Sequence, residues 1–338
     1  MRDPLTVSFI TAILFDVGHV RGVPSTGDPL CPGAIEGPSG IRRTETMRVG
    51  IVVLTYNNYA DTRECIDTLQ GLTYEDHEII VVDNASTDGS IERLRGELPQ
   101  CVFVCNDKNL GYAGGNNRGI EAALERGAEL VWILNNDTIV DKDALGWLVK
   151  EAVVSPKAGI IGSKVYYFKD KNRLFFAGGT INRWTGETRH VGYMEIDRGQ
   201  YDSRSSVDYI NGCNMLVRKE CLEDVGALDE AYFLYFEETD LAVRAKRAGW
   251  EVVFIPAPGV WHKIEEGAGW VSEATSYYLT RNHLYFVWKN YRPYFPTALL
   301  YSLATNIVFC ITRGSRGRAR MCWKGYRDFF RGSMGALA

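Results

Sequence analysis

The sequence predicts an α/β protein with a mainly parallel central sheet and helices packed on its faces. Three short apolar runs read VGIVVLTY at 49–56, IIVVDN at 79–84 and LVWIL at 130–134, and each leads into a polar turn. Helical segments separate these runs, and strand–helix–strand order gives right-handed units with parallel strands. Parallel strands end at the same edge of a sheet, where open α/β folds bind ligands. We therefore expect a binding site at that edge.

The helical segments between the strands show the apolar spacing of amphipathic helices. Residues 59–72 carry four apolar side chains on one helical face, Cys65, Ile66, Leu69 and Leu72. Asp88 and Ser90 are suited to cap a second helix. After a short strand at 102–105, we expect a third helix at about 117–126, directly before the run at 130–134.

Composition indicates one enzyme of moderate size. The chain has 338 residues, of which 46% are apolar and 24% charged, and its net charge is −4. That charge gives no general attraction for nucleic acid, so we expect no nucleic-acid partner. The eight cysteines include no CxxC pair, which favours reduced core cysteines over a disulfide framework or a zinc site. Oligomeric state cannot be read from these features.

Residues 1–46 fit poorly with the rest of the chain. The apolar run at 7–15 is too short to span a bilayer, and a stretch rich in Gly and Pro follows it from Gly22 to Gly40. The charges of Arg2 and Asp3 cancel, which disfavours a signal peptide. We expect these residues to be a disordered or non-native extension, with the functional protein starting at residue 47.

A glycine-rich segment, NLGYAGGNNRG, occupies residues 109–119. Gly111, Gly114 and Gly115 would let the backbone approach a ligand closely, and the N-terminus of the next helix would offer free amides to a diphosphate. A simple tight connection is the alternative. A dinucleotide-dehydrogenase fingerprint would need its glycines after the first strand, where this chain has the polar residues 55–58.

Acidic residues mark two further positions. Asn135, Asn136 and Asp137 follow the third strand, and a carboxylate beside a nucleotide-sized crevice suits a divalent metal, with a turn-forming role as the alternative. Glu237 and Glu238 stand at the start of a predicted helix. The helix dipole is expected to hold a carboxylate ionised there, which is the state that a general base needs.

With these motifs in this order, residues 48–290 resemble the family 2 glycosyltransferases of the GT-A fold, particularly the rhamnosyltransferase-like members. The resemblance implies a nucleotide-diphosphate sugar donor at the strand ends. Asp83 would accept a hydrogen bond from the ring N–H of uracil or thymine, with capping of the turn as its alternative role. The other implied donor-binding residues are Thr55, Tyr56, Asn57, Asn84, Ser86, Asn109, Gly111, Gly114, Asn116, Asn135 and Asn136.

The resemblance also implies a metal site. Asp137 stands at the last position of the family's DXD motif, whose other position is not acidic here, and would bind Mg²⁺ or Mn²⁺. His262 would complete the site, although a lone histidine after a buried strand is often a core residue. The loop that follows, with Glu265, Glu266, Gly267 and Gly269, would close over the donor.

For the base, the resemblance favours Glu238, at a position where the family more often carries Asp. Asp240 is the rival, and its alternative role is an exposed ion pair with Arg244 four residues further on. Glu237 would orient the acceptor or cap the helix. The implied catalytic candidates are therefore Glu238, Glu237 and Asp240.

These assignments divide the chain into a GT-A catalytic domain at 47–272 and a C-terminal helical extension at 273–338. The catalytic domain comprises a nucleotide-sugar half, 47–163, and an acceptor half, 164–272. In the extension, residues 295–312 are uncharged and marginal for a transmembrane helix. Residues 313–331 carry seven Lys or Arg against Asp328, with aromatic residues between them.

A basic, aromatic segment beside an apolar stretch suits the anionic surface of the cytoplasmic membrane, so we expect peripheral attachment there. A solvated basic face is the alternative. The whole sequence predicts an inverting, metal-dependent glycosyltransferase that moves rhamnose from dTDP-rhamnose, or a sugar from a UDP-sugar, to a lipid-linked or surface-glycan acceptor. A sugar nucleotidyltransferase and a catalytically silent nucleotide-sugar-binding scaffold remain alternatives.

Overall fold

The computed structural model describes residues 46–264, 272–313 and 316–337. Over these ranges the chain forms an α/β fold followed by C-terminal helices, as the sequence predicts. Of the predicted N-terminal extension, residues 1–46, only Thr46 lies within the described residues. The predicted closing loop, from Glu265 to Gly269, lies outside them as well.

The strands and helices alternate through the first part of the chain. The strands are β1 Val49–Thr55, β2 His77–Asp83, β3 Val102–Cys105, β4 Leu130–Asn135, β5 Thr138–Val140, β6 Ala158–Tyr167, β7 Leu174–Phe176, β8 Gly179–Ile181, β9 Thr188–His190, β10 Ser205–Ser206, β11 Asn214–Arg218 and β12 Glu251–His262. The helices are α1 Tyr59–Gln70, α2 Ser90–Glu97, α3 Gly111–Glu125, α4 Ala144–Val154, α5 Lys219–Val225, α6 Glu237–Arg247, α7 Glu273–Asn290, α8 Phe295–Arg313 and α9 Arg316–Phe330.

The main sheet has the strand order β10-β12-β6-β11-β4-β1-β2-β3. Strands β1 to β4 run parallel to their neighbours within that set, and β12 runs parallel to β6, whereas β11 is antiparallel to both β4 and β6. Strands β8 and β9 form a separate antiparallel hairpin. Thr55 pairs with Asp83, and Leu54 with Asn135, so the polar strand ends meet at one edge.

Helix α3 lies directly on the sheet, and two glycines permit this. A Cβ added at Gly119 would stand 2.3 Å from Cγ1 of Val52, and one added at Gly50 would stand 2.4 Å from the Cβ of Ala123. Both distances are too short for larger side chains. The close contact brings the N-terminus of α3 over the polar ends of β1 and β2.

Helix α3 begins at Gly111, earlier than the predicted start near 117. The glycine-rich segment is therefore mostly the first turns of a helix and not a loop. Gly111 has a φ of +73° that turns the chain into the helix, and this conformation favours glycine. The carbonyl oxygen of Phe233 accepts hydrogen bonds from the amides of Tyr112 and Ala113 at 2.7 and 3.3 Å. A contact with a residue so distant in sequence cannot be read from local periodicity.

The C-terminal helices pack on one another, since α7 contacts both α8 and α9. The rings of Phe295 in α8 and Phe329 in α9 are 5.5 Å apart. Within the described ranges, no helix combines the length and the apolar character needed to cross a membrane. One detail of the cysteine prediction is wrong, because Cys105 is exposed and not part of the core.

Candidate functional site

A cavity of about 290 Å³ opens at the edge where the parallel strands end. Of the predicted donor-binding residues, it is lined by Thr55, Tyr56, Asn84, Asn109, Gly111, Asn135 and Asn136. Asp137, the predicted metal ligand, also lines it. Sequence reasoning missed five lining residues, Leu54, Asn58, Tyr112, Phe233 and Leu234. Tyr112 stands inside the glycine-rich segment, which was a usable signal, whereas Phe233 and Leu234 lie far from that segment in sequence.

Next to the cavity, hydrogen bonds link the turn after β1 to the turn after β2. The Asn57 amide donates to Oγ of Ser86 at 2.9 Å, and Oδ1 of Asn57 accepts from the amide of Thr87 at 2.8 Å. The Asp83 carboxylate accepts from the Ser86 amide at 3.1 and 3.2 Å. Asn57, Asp83 and Ser86 therefore stand together beside the cavity but are not among the residues that line it.

The side chain of Asn84 holds the start of the glycine-rich segment through hydrogen bonds. Its Nδ2 donates to Oδ1 of Asn109 and to the carbonyl of Gly111, each at 3.0 Å. Its Oδ1 accepts from Nδ2 of Asn106 at 3.1 Å and from the amide of Leu110 at 2.9 Å. Both ends of the amide are thus occupied by protein groups, so Asn84 shapes the cavity wall.

At two glycines of this segment, the space that a side chain would occupy is filled by protein, and the prediction that their backbone approaches a ligand stays a prediction. A Cβ at Gly111 would stand 2.4 Å from the carbonyl oxygen of Phe233, and one at Gly114 would stand 2.8 Å from the Cβ of Leu110. The amides at the start of α3 that were predicted to be free for a diphosphate include two that donate to Phe233. Asn116 is fully buried, and its Nδ2 donates to the carbonyl of Tyr112 at 2.9 Å.

The predicted metal ligands come together at the end of β4. Nε2 of His262 lies 3.0 Å from Oδ1 of Asp137, and Nδ2 of Asn135 lies 3.4 Å from the same ring nitrogen. Oδ1 of Asp137 and Nδ1 of His262 are buried without a well-aligned hydrogen bond. Burial opposes ionisation of Asp137, but the neighbouring His262 and Lys263 hold the pKa of this carboxyl below its usual range.

An ionised, buried carboxylate oxygen beside an imidazole is a donor set that fits a divalent cation. Within residues 46–264, 272–313 and 316–337, no group of three or more His, Cys, Asp or Glu side chains forms a complete ligand set. A cation held at Asp137 and His262 would therefore need further ligands from a bound substrate and water.

Glu237 and Glu238 begin the first turn of α6; Glu237 is buried, whereas Glu238 is half-buried with its Oε2 atom enclosed and without a hydrogen-bond partner. Burial raises the pKa of Glu238 to about 7, although the amides of Glu238 and Thr239 oppose this shift. Burial and the charge of Glu238 raise the pKa of Glu237 well above its usual range. The expectation that the helix dipole keeps these groups ionised is therefore incomplete, because desolvation outweighs it. The pKa of Glu237 is raised further than that of Glu238, so Glu238 is the more readily ionised of the two.

The charges of Asp137 and Glu238 both affect Cys213 and Tyr112. Burial raises the pKa of the Cys213 thiol well above its usual range, and the charges of Asp137 and Glu238 raise it further. Burial also raises the pKa of Tyr112, and the charges of Glu237, Glu238 and Asp137 contribute. The Tyr112 hydroxyl donates to the carbonyl of Gly212 at 2.7 Å. Asp137 and Glu238 thus lie close enough to Cys213 and Tyr112 for their charges to affect both groups.

Asp240 is fully buried, which corrects the prediction of an exposed pair with Arg244. The pair itself exists, with Nε of Arg244 at 2.8 Å, and Nζ of Lys289 also lies 2.8 Å from the carboxylate. The hydroxyl of Tyr232 and Nδ2 of Asn290 donate to its other oxygen at 3.2 and 2.7 Å. With both oxygens occupied, Asp240 joins α6 to α7 and has no lone pair directed at a substrate.

Comparison with known proteins gives a consistent result. Residues 50–226 match the model of a family described as Glycosyl transferase family 2. The N-acetylglucosaminyl-diphospho-decaprenol L-rhamnosyltransferase of Mycobacterium tuberculosis is 27% identical over 243 residues, which cover 65% of this chain and 77% of that protein. The dTDP-rhamnosyl transferase RfbF of Shigella flexneri is 25% identical over 250 residues, covering 72% of this chain and 80% of that protein.

Solved structures share the fold. GalNAc-T7 with UDP, GalNAc and Mn²⁺ superposes with a TM-score of 0.60 at 14% identity, covering 84% of this chain and 56% of that longer chain. Mannosyltransferase PcManGT from Pyrobaculum calidifontis, in complex with GDP-Man and Mn²⁺, gives a TM-score of 0.52 at 17% identity, covering 88% and 83%. The predicted GT-A fold is confirmed.

The buried carboxyl of Glu238 predicts an unusual pH dependence of stability. Its folded-state pKa of about 7 lies above the ordinary 4.5, so the folded protein binds more protons than the unfolded chain between these values. The free energy of unfolding should therefore fall as pH rises from 5 to 8, by up to about 3 kcal/mol from this group. Glu238→Gln should remove this part of the decrease in urea unfolding measured in EDTA.

Glu125→Gln is the matched control, because Glu125 is exposed at the end of α3. This variant should keep the wild-type pH dependence. Identical pH dependences for wild type and Glu238→Gln would show that Glu238 ionises at an ordinary pH.

Proposed function

The chain belongs to glycosyl transferase family 2, and from that premise we propose that it is an inverting, metal-dependent rhamnosyltransferase. Its donor is dTDP-rhamnose, with UDP-sugars as alternatives, and its acceptor is a lipid-linked or growing surface glycan. The observation that carries the proposal is that Asp137 and Tyr112 line one cavity and that the charges of Asp137 and Glu238 both reach Tyr112 and Cys213. Two relatives with rhamnosyltransferase names support the sugar.

The donor nucleoside binds at the ends of β1 and β2. The Asp83 carboxylate, which stands beside the cavity and accepts from the Ser86 amide, also accepts from the imide N–H of the pyrimidine. Tyr56, which is 48% exposed at the cavity rim, offers an aromatic face to the base or ribose. Asn57 and Asn84 act indirectly, because their side-chain groups hold the turns that form the walls.

Transfer is a single displacement. Glu238, the more readily ionised of the two glutamates, removes the proton from an acceptor hydroxyl, and that oxygen attacks the anomeric carbon from the face opposite the nucleotide. The bond from the anomeric carbon to the diphosphate oxygen breaks, and its electron pair leaves with the nucleoside diphosphate. Glu237 stays protonated and orients the acceptor by donating a hydrogen bond.

Asp137 and His262 are the residues that would hold Mg²⁺ or Mn²⁺. A divalent cation there supplies electrostatic stabilisation of the charge that develops on the departing diphosphate. The unpartnered Oδ1 of Asp137 and the ring nitrogen beside it support this assignment. A nucleotidyltransferase is less well supported than a glycosyltransferase, since the family match concerns sugar transfer.

The metal prediction concerns Asp137. Asp137→Asn should abolish sugar transfer, because a neutral amide binds a divalent cation poorly, while circular dichroism stays unchanged. The measurement is release of nucleoside diphosphate from dTDP-rhamnose and from UDP-sugars, with a lipid-linked acceptor and Mg²⁺ or Mn²⁺. EDTA should abolish wild-type activity, and added cation should restore it. Full activity in EDTA would overturn the metal-dependent mechanism.

The base prediction concerns Glu238. Glu238→Gln keeps the shape of the side chain and removes the proton acceptor, so kcat should fall by roughly two to four powers of ten with the donor Kd unchanged. Asp240→Asn is the comparison. It should lower stability, because Asp240 binds Arg244 and Lys289, but the folded protein should retain most of its turnover. A loss of turnover confined to Asp240→Asn would show that Asp240 is the base.

The C-terminal helices support peripheral attachment to the cytoplasmic face of an anionic membrane. One exposed face of α9 combines basic and aromatic residues, Arg316, Arg320, Trp323, Arg327 and Phe330. Their spacing of three and four residues places them on a single face of the helix. Leu300 and Ile307 of α8 are 67% and 57% exposed. Interfacial helices combine apolar anchors with cations in this way.

The membrane prediction tests this face. Arg316→Gln with Arg320→Gln should weaken binding to phosphatidylglycerol vesicles about thirtyfold, since each basic residue near the surface contributes about 1 kcal/mol. Lys142→Gln with Lys157→Gln removes the same charge from exposed positions of the catalytic domain and should leave binding unchanged. Vesicle sedimentation measures both. Equal weakening by the two pairs would show only a general charge effect.

A further inference from the structure

The segment 231–236, directly before α6, has an unusual backbone. Phe233, Tyr235 and Phe236 have φ values of 66°, 71° and 76°, in the left-handed region that non-glycine residues rarely adopt. Such a conformation persists only when the surrounding structure holds it in place, and it is common at functional sites. The contacts that hold this segment therefore determine where its neighbours lie.

Asn282 of α7 is fully buried and binds this segment. Its Nδ2 lies within hydrogen-bond distance of three carbonyl oxygens, those of Tyr232 at 2.9 Å, Leu234 at 2.8 Å and Tyr235 at 3.1 Å. Its Oδ1 accepts from Nε of Arg281 at 2.9 Å, which fixes the orientation of the amide. Asn282 thus holds the carbonyls on both sides of Phe233.

Arg281 is also fully buried and approaches the same segment. Its Nη2 donates to the carbonyls of Tyr232 at 2.9 Å and Ala231 at 3.3 Å. Its Nη1 donates to the carbonyl of Gly335 at 2.7 Å, and its charge lies over the rings of Tyr277 and Tyr278. Carbonyl dipoles and aromatic faces therefore stabilise this cation in the interior.

The other side of the segment forms the candidate active site. The carbonyl of Phe233 accepts from the amides of Tyr112 and Ala113 at the start of α3, and Phe233 and Leu234 line the cavity. Glu237 follows Phe236 directly, so the direction in which the chain leaves the segment sets the positions of both glutamates.

We propose that Arg281 and Asn282 are positioning residues for sugar transfer, which hold segment 231–236 so that the carboxylate pair of α6 and the cavity wall keep their relative placement. This inference rests on the proposed function for its catalytic consequence. The C-terminal extension is therefore part of the apparatus that shapes the active site, in addition to any role at a membrane.

The test compares Asn282→Leu with Asn306→Leu in the full chain. Asn306 of α8 donates to the hydroxyls of Tyr326 at 2.7 Å and Thr280 at 3.4 Å, so its substitution removes hydrogen bonds from the same extension without touching segment 231–236. Hydrogen exchange followed by mass spectrometry should show at least tenfold faster exchange at 231–240 in Asn282→Leu only. Among folded molecules, kcat should fall at least tenfold and the donor KM should rise in that variant only.

A role in global stability alone would lower the active fraction and leave the donor KM and local exchange unchanged, and that result would overturn the proposal. Equal effects in Asn306→Leu would overturn it too. If Asn282→Leu does not fold, Arg281→Lys takes its place in the comparison. It keeps the charge but loses the planar guanidinium group, and it should give the same changes to a smaller degree. If wild type transfers no sugar, the proposed function fails, while the exchange comparison still decides whether the segment is held as described.

Discussion

Hydrogen bonds to the carbonyl oxygens of segment 231–236 are the constraint on which the candidate site depends. Helix α3 donates to Phe233 from one side, and α7 donates to Tyr232, Leu234 and Tyr235 from the other. These carbonyls would be costly to bury without partners. The hydrogen bonds supply these partners and join α3, segment 231–236 and α7 into one structural unit. Helix α6 begins where this unit ends.

Two opposing electrostatic effects meet at the start of α6. The helix N-terminus favours negative charge, but burial of two adjacent carboxyls disfavours it, and burial dominates. The outcome for Glu238 is a pKa of about 7, which lies close to the value that suits a base working at neutral pH. Asp240, two residues further on, is instead paired with the cations of Arg244 and Lys289.

The sequence predicts well those features that follow from local pattern. Continuous apolar runs separated by helical segments identify β1, β2 and β4. Parallel pairing brings Thr55 opposite Asp83, so most of the residues predicted to bind the donor lie together. The same reasoning misjudges the start of α3 and the exposure of Asp240. Both errors have one cause, since Phe233 contacts α3 and Lys289 and Asn290 contact Asp240 across long sequence separations. Local periodicity carries no information about such contacts.

The turn between β8 and β9 contacts the start of the C-terminal helix α8. Oγ1 of Thr297 at the start of α8 donates to the carbonyl of Trp184 at 2.6 Å, and the rings of Trp184 and Tyr294 lie 4.6 Å apart. A protein that rests on lipid through α8 and α9 would hold this turn at a fixed height above the headgroups. The length of the acceptor's sugar chain would then determine which acceptors are used, because only a chain that spans that height could present a hydroxyl to the active site.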